Sequence, residues 1–217
     1  MSKAVPFQKH HFEDLEQQHD SSWAGMWIFL ATEVMFFGGM FACYSVYRTA
    51  YPEAFSAASN ELDIWLGTIN TAVLIGSSLT MALAVRAAQL GERRAILIFL
   101  SLTILLGGVF LGIKSVEYYH KFVEHLVPGA SFEFPQPALK RPAEIFLSLY
   151  FAMTGMHALH MIIGIGLLSY LIVVARQGIF SAVYNTPVEL VGLYWHFVDI
   201  VWIFLFPLLY LLGRHLK

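Results

Sequence analysis

Five separate segments of this sequence are apolar over a length that can cross a lipid bilayer as an α-helix. Such a helix needs about 20 mostly apolar residues to span roughly 30 Å of hydrocarbon. The segments that qualify are 24–47, 64–87, 95–118, 144–175 and 189–212. Since 58% of the 217 residues are hydrophobic and only 13% are charged, too little polar surface remains to cover these segments in a soluble protein. The sequence therefore predicts an all-α integral membrane bundle of five transmembrane helices.

A change in composition divides the chain into a polar N-terminal segment, residues 1–22, and one five-helix domain, residues 23–217. The N-terminal segment is rich in acidic residues and lacks the basic start and apolar middle of a cleavable signal peptide. The connection at 120–143 contains several prolines, which remove backbone donors where no helix is needed. No separate soluble domain is expected.

The distribution of positive charge indicates an orientation. If the N-terminus is cytoplasmic, lysine and arginine are equally numerous on the two sides of the membrane. However, Arg86, Arg93 and Arg94 lie around the short turn between the second and third spans, and the positive-inside rule is strongest for short turns. We therefore expect a cytoplasmic N-terminus. Tyr194 and Tyr210, near predicted span ends, fit an interfacial aromatic belt. With a net charge of −2 and no long basic run, nucleic acid is not an expected partner.

Glu33 is an ionisable residue within the first predicted span. A charged group at that depth costs roughly 2.5–3.5 kcal/mol on insertion scales, so its presence needs a reason. One interpretation is a protonatable group in a proton or oxygen route. The other is a neutral carboxyl group that hydrogen-bonds to a neighbouring helix. The sequence leaves both open.

Polar residues recur on one face of each of the last two predicted spans, and we expect these two faces to meet as a buried polar seam. The seam candidates are His157, His160, Glu189, His196 and Asp199. A structural seam that selects helix partners and a charge-relay or transport path both fit this pattern. The two histidines also have the spacing of metal ligands on a helix, but no third ligand lies nearby in sequence, so no metal site is predicted.

The third predicted span carries two further polar or small-residue signals. Lys114 and Glu117 are three residues apart near its end, so they can pair with each other. Lys114 can also extend towards the membrane interface. Gly108 and Gly112 have the spacing that lets transmembrane helices approach closely. We interpret all four residues as structural.

Known catalytic signatures do not occur in the sequence. It has no Cys-x-x-Cys-His haem attachment motif, no glycine-rich phosphate loop and no nucleophile elbow. No catalytic, cofactor-binding or metal-binding residue is therefore predicted. The residues alone favour a transporter-like protein or an accessory membrane subunit.

At these same polar stretches the sequence resembles subunit III of cytochrome c oxidase, in every span and in the same order. The matching stretches are Trp27–Phe37, Leu66–Thr71, Ser115–Tyr119, Thr154–Gly164 and Tyr194–Trp202. The last two are the most specific. Many members of that family have seven helices, whereas this sequence resembles the five-helix form found in several bacterial oxidases.

The resemblance implies a non-catalytic subunit that stabilises the catalytic subunit I of an oxidase, which reduces O2 to water and pumps protons. It also implies direct contact with subunit I, association with subunit II, other oxidase subunits and membrane phospholipids, and location in a bacterial inner (plasma) membrane. Haems and copper are expected in subunits I and II, and none in this chain. Glu33 matches the family's embedded glutamate, which is linked to lipid binding and proton uptake.

Two alternative functions remain open from the sequence. One is subunit III of a ubiquinol oxidase, because related five-helix subunits also occur there. The other is an independent proton or cation transporter that uses the ionisable residues Glu33, His157, His196 and Asp199.

Overall fold

The protein is a bundle of α-helices. The structure is a computed structural model that describes residues 14–182 and 184–211, so part of the predicted N-terminal segment and the charged residues Lys3, Lys9, Arg214 and Lys217 lie outside the described residues. Its helices are α1 Leu15–Ala50, α2 Pro52–Asn60, α3 Ile64–Gln89, α4 Arg93–Val123, α5 Lys140–Arg176 and α6 Thr186–Phe206. A 3-10 turn, Pro137–Leu139, precedes α5, and a π-helical turn, Pro207–Leu211, follows α6.

Five of these helices, all except α2, are long and apolar enough to cross a membrane. The predicted all-α bundle with five spans is therefore confirmed, and no β-strand forms within residues 14–182 and 184–211. The spans are longer than the apolar windows because the helices continue through polar turns. For example, the Asp14 side chain accepts a hydrogen bond from the Gln17 N–H at 2.7 Å, and this N-cap starts α1 well before residue 24.

The short helix α2 was not predicted, because it lies between the predicted spans 24–47 and 64–87 and outside both. Pro52 begins this helix, a position where its missing N–H has no cost. One side of α2 is buried, and the Ser59 hydroxyl donates to the Leu209 carbonyl at 2.7 Å. The Tyr44 hydroxyl donates to the Leu208 carbonyl at the same distance. Helix α2 and the end of α1 thereby hold the C-terminal π-helical turn.

Helix α6 is the centre of the bundle and contacts α1, α3 and α5, while α4 packs against α3 and α5. The Trp195 indole is fully buried there and donates to the Ser77 hydroxyl at 3.0 Å. A Cβ atom at Gly107 would lie 2.8 Å from this indole, and one at Gly164 would lie 2.9 Å from it. These two glycines therefore make room for one of the two fully buried tryptophans of the core.

The predicted packing role of Gly108 and Gly112 is wrong within this chain. A Cβ atom at either position would have no neighbour within 4 Å in the part of the chain that the structure describes. Gly107 is one residue away, and a step of one residue turns a helical position by more than a quarter of a turn. The glycine that faces the core is therefore the one outside the spacing motif.

Candidate functional site

Glu33 of α1 and His160 of α5 meet inside the bundle. The Glu33 Oε2 atom lies 3.1 Å from the His160 Nε2 atom, and the two side chains are only 18% and 10% exposed. The other ring nitrogen, Nδ1, lies 2.8 Å from the Met156 carbonyl oxygen. Because a carbonyl only accepts hydrogen bonds, Nδ1 carries a proton. One proton is then shared between Glu33 and Nε2, either on a neutral carboxyl group or on an imidazolium.

Aromatic residues enclose this pair on the side of α6 and α1. The Tyr194 hydroxyl donates to the His160 carbonyl at 2.9 Å, and the Phe37 ring centroid lies 5.4 Å from that of His160. Tyr194 is only 4% exposed, so its predicted place in an interfacial aromatic belt is wrong. Its hydroxyl instead links α6 to α5 beside the pair.

His157 is buried one turn from His160 in a different environment. Its ring lies 5.4 Å from that of Phe110 and 5.3 Å from that of Trp202, between centroids. Neither ring nitrogen has a hydrogen-bond partner among residues 14–182 and 184–211. The structure thus brings His160, but not His157, into contact with Glu33.

The three seam candidates of α6 face α3 instead of the histidines of α5. Ser78 Oγ and His196 Nδ1 are 2.8 Å apart, and the Gln89 amide donates to Glu189 Oε1 at 2.7 Å. Asp199 is 3% exposed, and neither of its carboxyl oxygens has a hydrogen-bond partner within the described ranges. The two polar faces are therefore divided between different interfaces, because large aromatic side chains of α6 fill its contact with α5.

The third group of buried polar residues surrounds Lys114. Its ammonium donates to Glu117 Oε2 at 3.0 Å, to the Tyr150 hydroxyl at 3.1 Å and to the Tyr210 hydroxyl at 2.9 Å. The Tyr150 hydroxyl donates to Glu117 Oε1 at 2.8 Å, and Tyr210 donates to the same oxygen. The predicted pairing of Lys114 with Glu117 is therefore confirmed.

The same cluster corrects two predictions. Lys114 is 3% exposed, so it does not extend to the interface, and Tyr210 is fully buried instead of lying in an interfacial belt. Four aromatic rings lie with their centroids between 5.0 and 5.6 Å from the Lys114 ammonium, which suits cation–π contact. Sequence spacing cannot reveal this cluster, because it joins α4, α5 and the C-terminal turn across a long separation in the chain.

Three groups of polar residues lie in the bundle: Glu33 with His160, the polar residues between α3 and α6, and the Lys114 cluster. The chemistry available to them is proton sharing and helix pairing. Within residues 14–182 and 184–211, no group of three or more His, Cys, Asp or Glu side chains is close enough to hold a metal ion. The Glu33–His160 pair places a carboxyl group and an imidazole within hydrogen-bond distance at helix α1, much of which is exposed on the bundle surface. The Lys114–Glu117 cluster is closed from solvent and joins the helices that surround it. These features define a helical integral membrane protein with buried, paired ionisable groups.

Comparison with known proteins gives the family. The sequence model of the family described as cytochrome c oxidase subunit III matches residues 6–214. The chain is 32% identical to the cytochrome bo(3) ubiquinol oxidase subunit 3 of Pseudomonas aeruginosa, over 98% of this chain and 99% of that one. It is 34% identical to the cytochrome c oxidase subunit 3 of Thermostichus vulcanus, over 88% and 87%. It is also 32% identical to the quinol oxidase subunit 3 of Bacillus spizizenii, over 87% and 86%.

The chain belongs to the cytochrome c oxidase subunit III family. It is therefore a membrane subunit of a respiratory haem-copper oxidase complex.

Proposed function

We propose that this chain is the non-catalytic subunit III that packs directly against subunit I, stabilises it and supports its uptake of protons. Its five-helix domain, residues 23–217, lies in a bacterial plasma membrane, and the polar segment 1–22 begins in the cytoplasm. Haems and copper are held by subunits I and II. Bacterial relatives that share almost the full length of the chain support this proposal.

The observation that carries the proposed role in proton uptake is the contact between Glu33 and His160. The two side chains lie 3.1 Å apart and are partly accessible from the outer surface of α1. Two groups that share one proton at membrane depth can accept a proton at one group and release it from the other. Because much of α1 is exposed on the bundle surface, a partner subunit that packs there would lie next to this pair.

In the proposed subunit III, the seam candidates His157, Glu189 and His196 have a structural role. His157 fills the space between two aromatic rings, and Glu189 and His196 bond to side chains of α3. These contacts select helix partners inside the subunit. Asp199 makes no such hydrogen bond within residues 14–182 and 184–211.

We propose cytochrome c as the electron donor of the complex, on the resemblance of the Glu33 stretch and of Tyr194–Trp202. A quinol is the alternative donor, and it is favoured by the Pseudomonas aeruginosa relative, which is named as a ubiquinol oxidase subunit. Measurement of O2 consumption by the purified complex distinguishes the two electron donors. O2 consumption driven by reduced cytochrome c supports the first, and consumption driven only by a quinol supports the second.

The test of the whole proposal is affinity purification of the tagged chain from its native membranes in mild detergent. We expect haem bands in the reduced-minus-oxidised visible spectrum, and mass spectrometry should find a large multi-helix partner. A colourless protein without partners would contradict the proposal. In that case, pH-driven flux in liposomes that contain only this chain would establish the transporter alternative.

A further inference from the structure

Two adjoining cavities form one continuous groove along the outer surface of α3 and α6. Their volumes are about 410 and 330 Å³, within the usual range of ligand pockets, and Ala82 and His196 line both of them. The groove extends along α6 from Glu189 to Ile203. That separation corresponds to a rise of about 21 Å along the helix, which exceeds the roughly 15 Å depth of one bilayer leaflet. The groove can therefore hold a ligand that spans a leaflet.

The half of the groove nearest the middle of the membrane-spanning segments has an apolar rim. Its side chains are 48% to 62% exposed, and they are Ile75, Leu79, Ile200 and Ile203. An open apolar surface at that depth fits an acyl chain. The carboxyl oxygens of Asp199 lie behind this surface and are buried, so the ligand makes no contact with them.

The other half of the groove ends in polar groups at the membrane surface. Glu189 lies in the first turn of α6, and Gln89 is the last residue of α3. The Gln89 amide donates to Glu189 Oε1 at 2.7 Å. The other carboxylate oxygen, Oε2, is not buried and has no hydrogen-bond partner within residues 14–182 and 184–211. This oxygen can accept a charge-assisted hydrogen bond from a cationic ligand group.

The charges at this end of the groove select the ligand headgroup. No lysine or arginine lines either cavity within the described part of the chain, so an anionic group would meet the Glu189 carboxylate without compensation. Arg86 is exposed and lies four residues after Ala82 and three before Gln89, which places it on the same face of α3. Its guanidinium can therefore pair with a phosphate at the mouth of the groove.

We propose that this groove binds a phospholipid with a primary ammonium headgroup, a phosphatidylethanolamine. The ammonium donates to Glu189 Oε2, the phosphate pairs with Arg86, and one acyl chain lies along the apolar rim. A choline headgroup has no N–H to donate, and a glycerol headgroup leaves the lipid with a net negative charge beside Glu189. Neither Glu33 nor His160 lines the groove, so this site is separate from that pair.

Three lipid probes test the proposal. They have identical acyl chains that carry a photoreactive diazirine, and their headgroups are ethanolamine, choline and glycerol. Each is added in lipid nanodiscs to the full chain, with the subunits that co-purify with it, and labelled peptides are mapped by mass spectrometry after irradiation. Labelling of the groove peptides is normalised to labelling of the whole chain. We expect the ethanolamine probe to label the groove about 5- to 10-fold more than either of the others, as for a hydrogen-bonded ion pair at a partly buried carboxylate.

Two outcomes would overturn the proposal. Equal labelling by the three probes would show a surface that does not select a headgroup, and absence of groove labelling would show that a partner subunit covers it. The measurement depends neither on haem nor on O2 consumption, so its result is independent of the proposed function.

Three variants locate the bound lipid. Glu189→Gln keeps the shape of the side chain but removes the charge, and it should abolish the preference for ethanolamine over choline. Glu92→Gln, in the turn between α3 and α4 and outside both cavities, is the matched control and should keep that preference. Ile203→Trp fills the apolar half of the groove and should lower groove labelling by all three probes at least about 5-fold. If Glu189→Gln does not assemble, Ile203→Trp decides, and unchanged labelling in that variant would refute the site.

Discussion

Replacement of Glu117 by glutamine tests whether the Lys114 cluster holds the bundle together. The change keeps the shape of the side chain but leaves the Lys114 ammonium, which is 3% exposed, without its carboxylate. Removal of one partner from a buried ion pair costs about 3–5 kcal/mol. Because about 1 kcal/mol corresponds to roughly 2–4 °C for a chain of this size, the melting temperature should fall by about 6–20 °C.

Glu124→Gln is the matched control for this change. Glu124 pairs with Lys121, three residues before it, at 2.5 Å; the Lys121 side chain is 6% exposed, but the Glu124 side chain is 49% exposed. Because water reaches the carboxylate of this pair and can replace it, the pair contributes about 0–1 kcal/mol, so this variant should melt within about 4 °C of the parent. The comparison separates loss of a charge from loss of a buried partner.

The assay follows this chain alone within the purified complex. A fluorescent protein fused to the chain reports the fraction that remains dispersed on size-exclusion chromatography after heating in detergent. The double variant Glu117→Gln with Lys114→Met removes the unpaired charge and should recover most of the lost stability. If Glu117→Gln melts no lower than Glu124→Gln, or if the double variant is less stable than Glu117→Gln, the cluster does not act as a buried ion pair.

Two further predictions concern the Glu33–His160 pair and the contact of Gly107 with Trp195. Glu33→Gln keeps a hydrogen-bonding group next to His160, but the amide cannot release a proton. The complex should therefore assemble normally and lose O2-consuming activity faster during turnover. Equal inactivation half-times for variant and parent would exclude the proposed role. Gly107→Ala places a Cβ atom 2.8 Å from Trp195 and should cost about 1–3 kcal/mol in the same heating assay. Gly108→Ala has no such neighbour and should be neutral or slightly stabilising, so equal loss in both glycine variants would contradict the packing argument.

Prediction from the sequence worked best where the physical constraint is local. A segment of apolar residues long enough to cross the bilayer must form a helix there, since its backbone has no other partners in hydrocarbon. The pairing of Lys114 with Glu117 was predictable for the same reason, because residues three apart on a helix are neighbours. Helix α2 was missed since its nine residues are too few and too mixed in polarity to stand out.

The positions of single side chains around a helix axis were predicted less well. Gly108 and Gly112 had the right spacing for close packing, yet Gly107 meets Trp195. Tyr210 looked interfacial because it lies near the end of a span, yet the turn at Pro207 directs it into the Lys114 cluster. Each of these differences between prediction and structure depends on which helix packs against which face of another. The sequence of a single helix does not determine that arrangement.

The sequence by itself determined that this chain crosses the membrane five times, and its motifs indicated the family. Only the tertiary structure decided that Glu33 meets His160 and that the polar residues of α6 face α3. The physical reason is that hydrophobicity sets the depth of a residue in the bilayer, whereas its partners depend on how bulky side chains such as Trp195 fit against neighbouring helices. That fit also leaves the Asp199 side chain buried between α6 and α3.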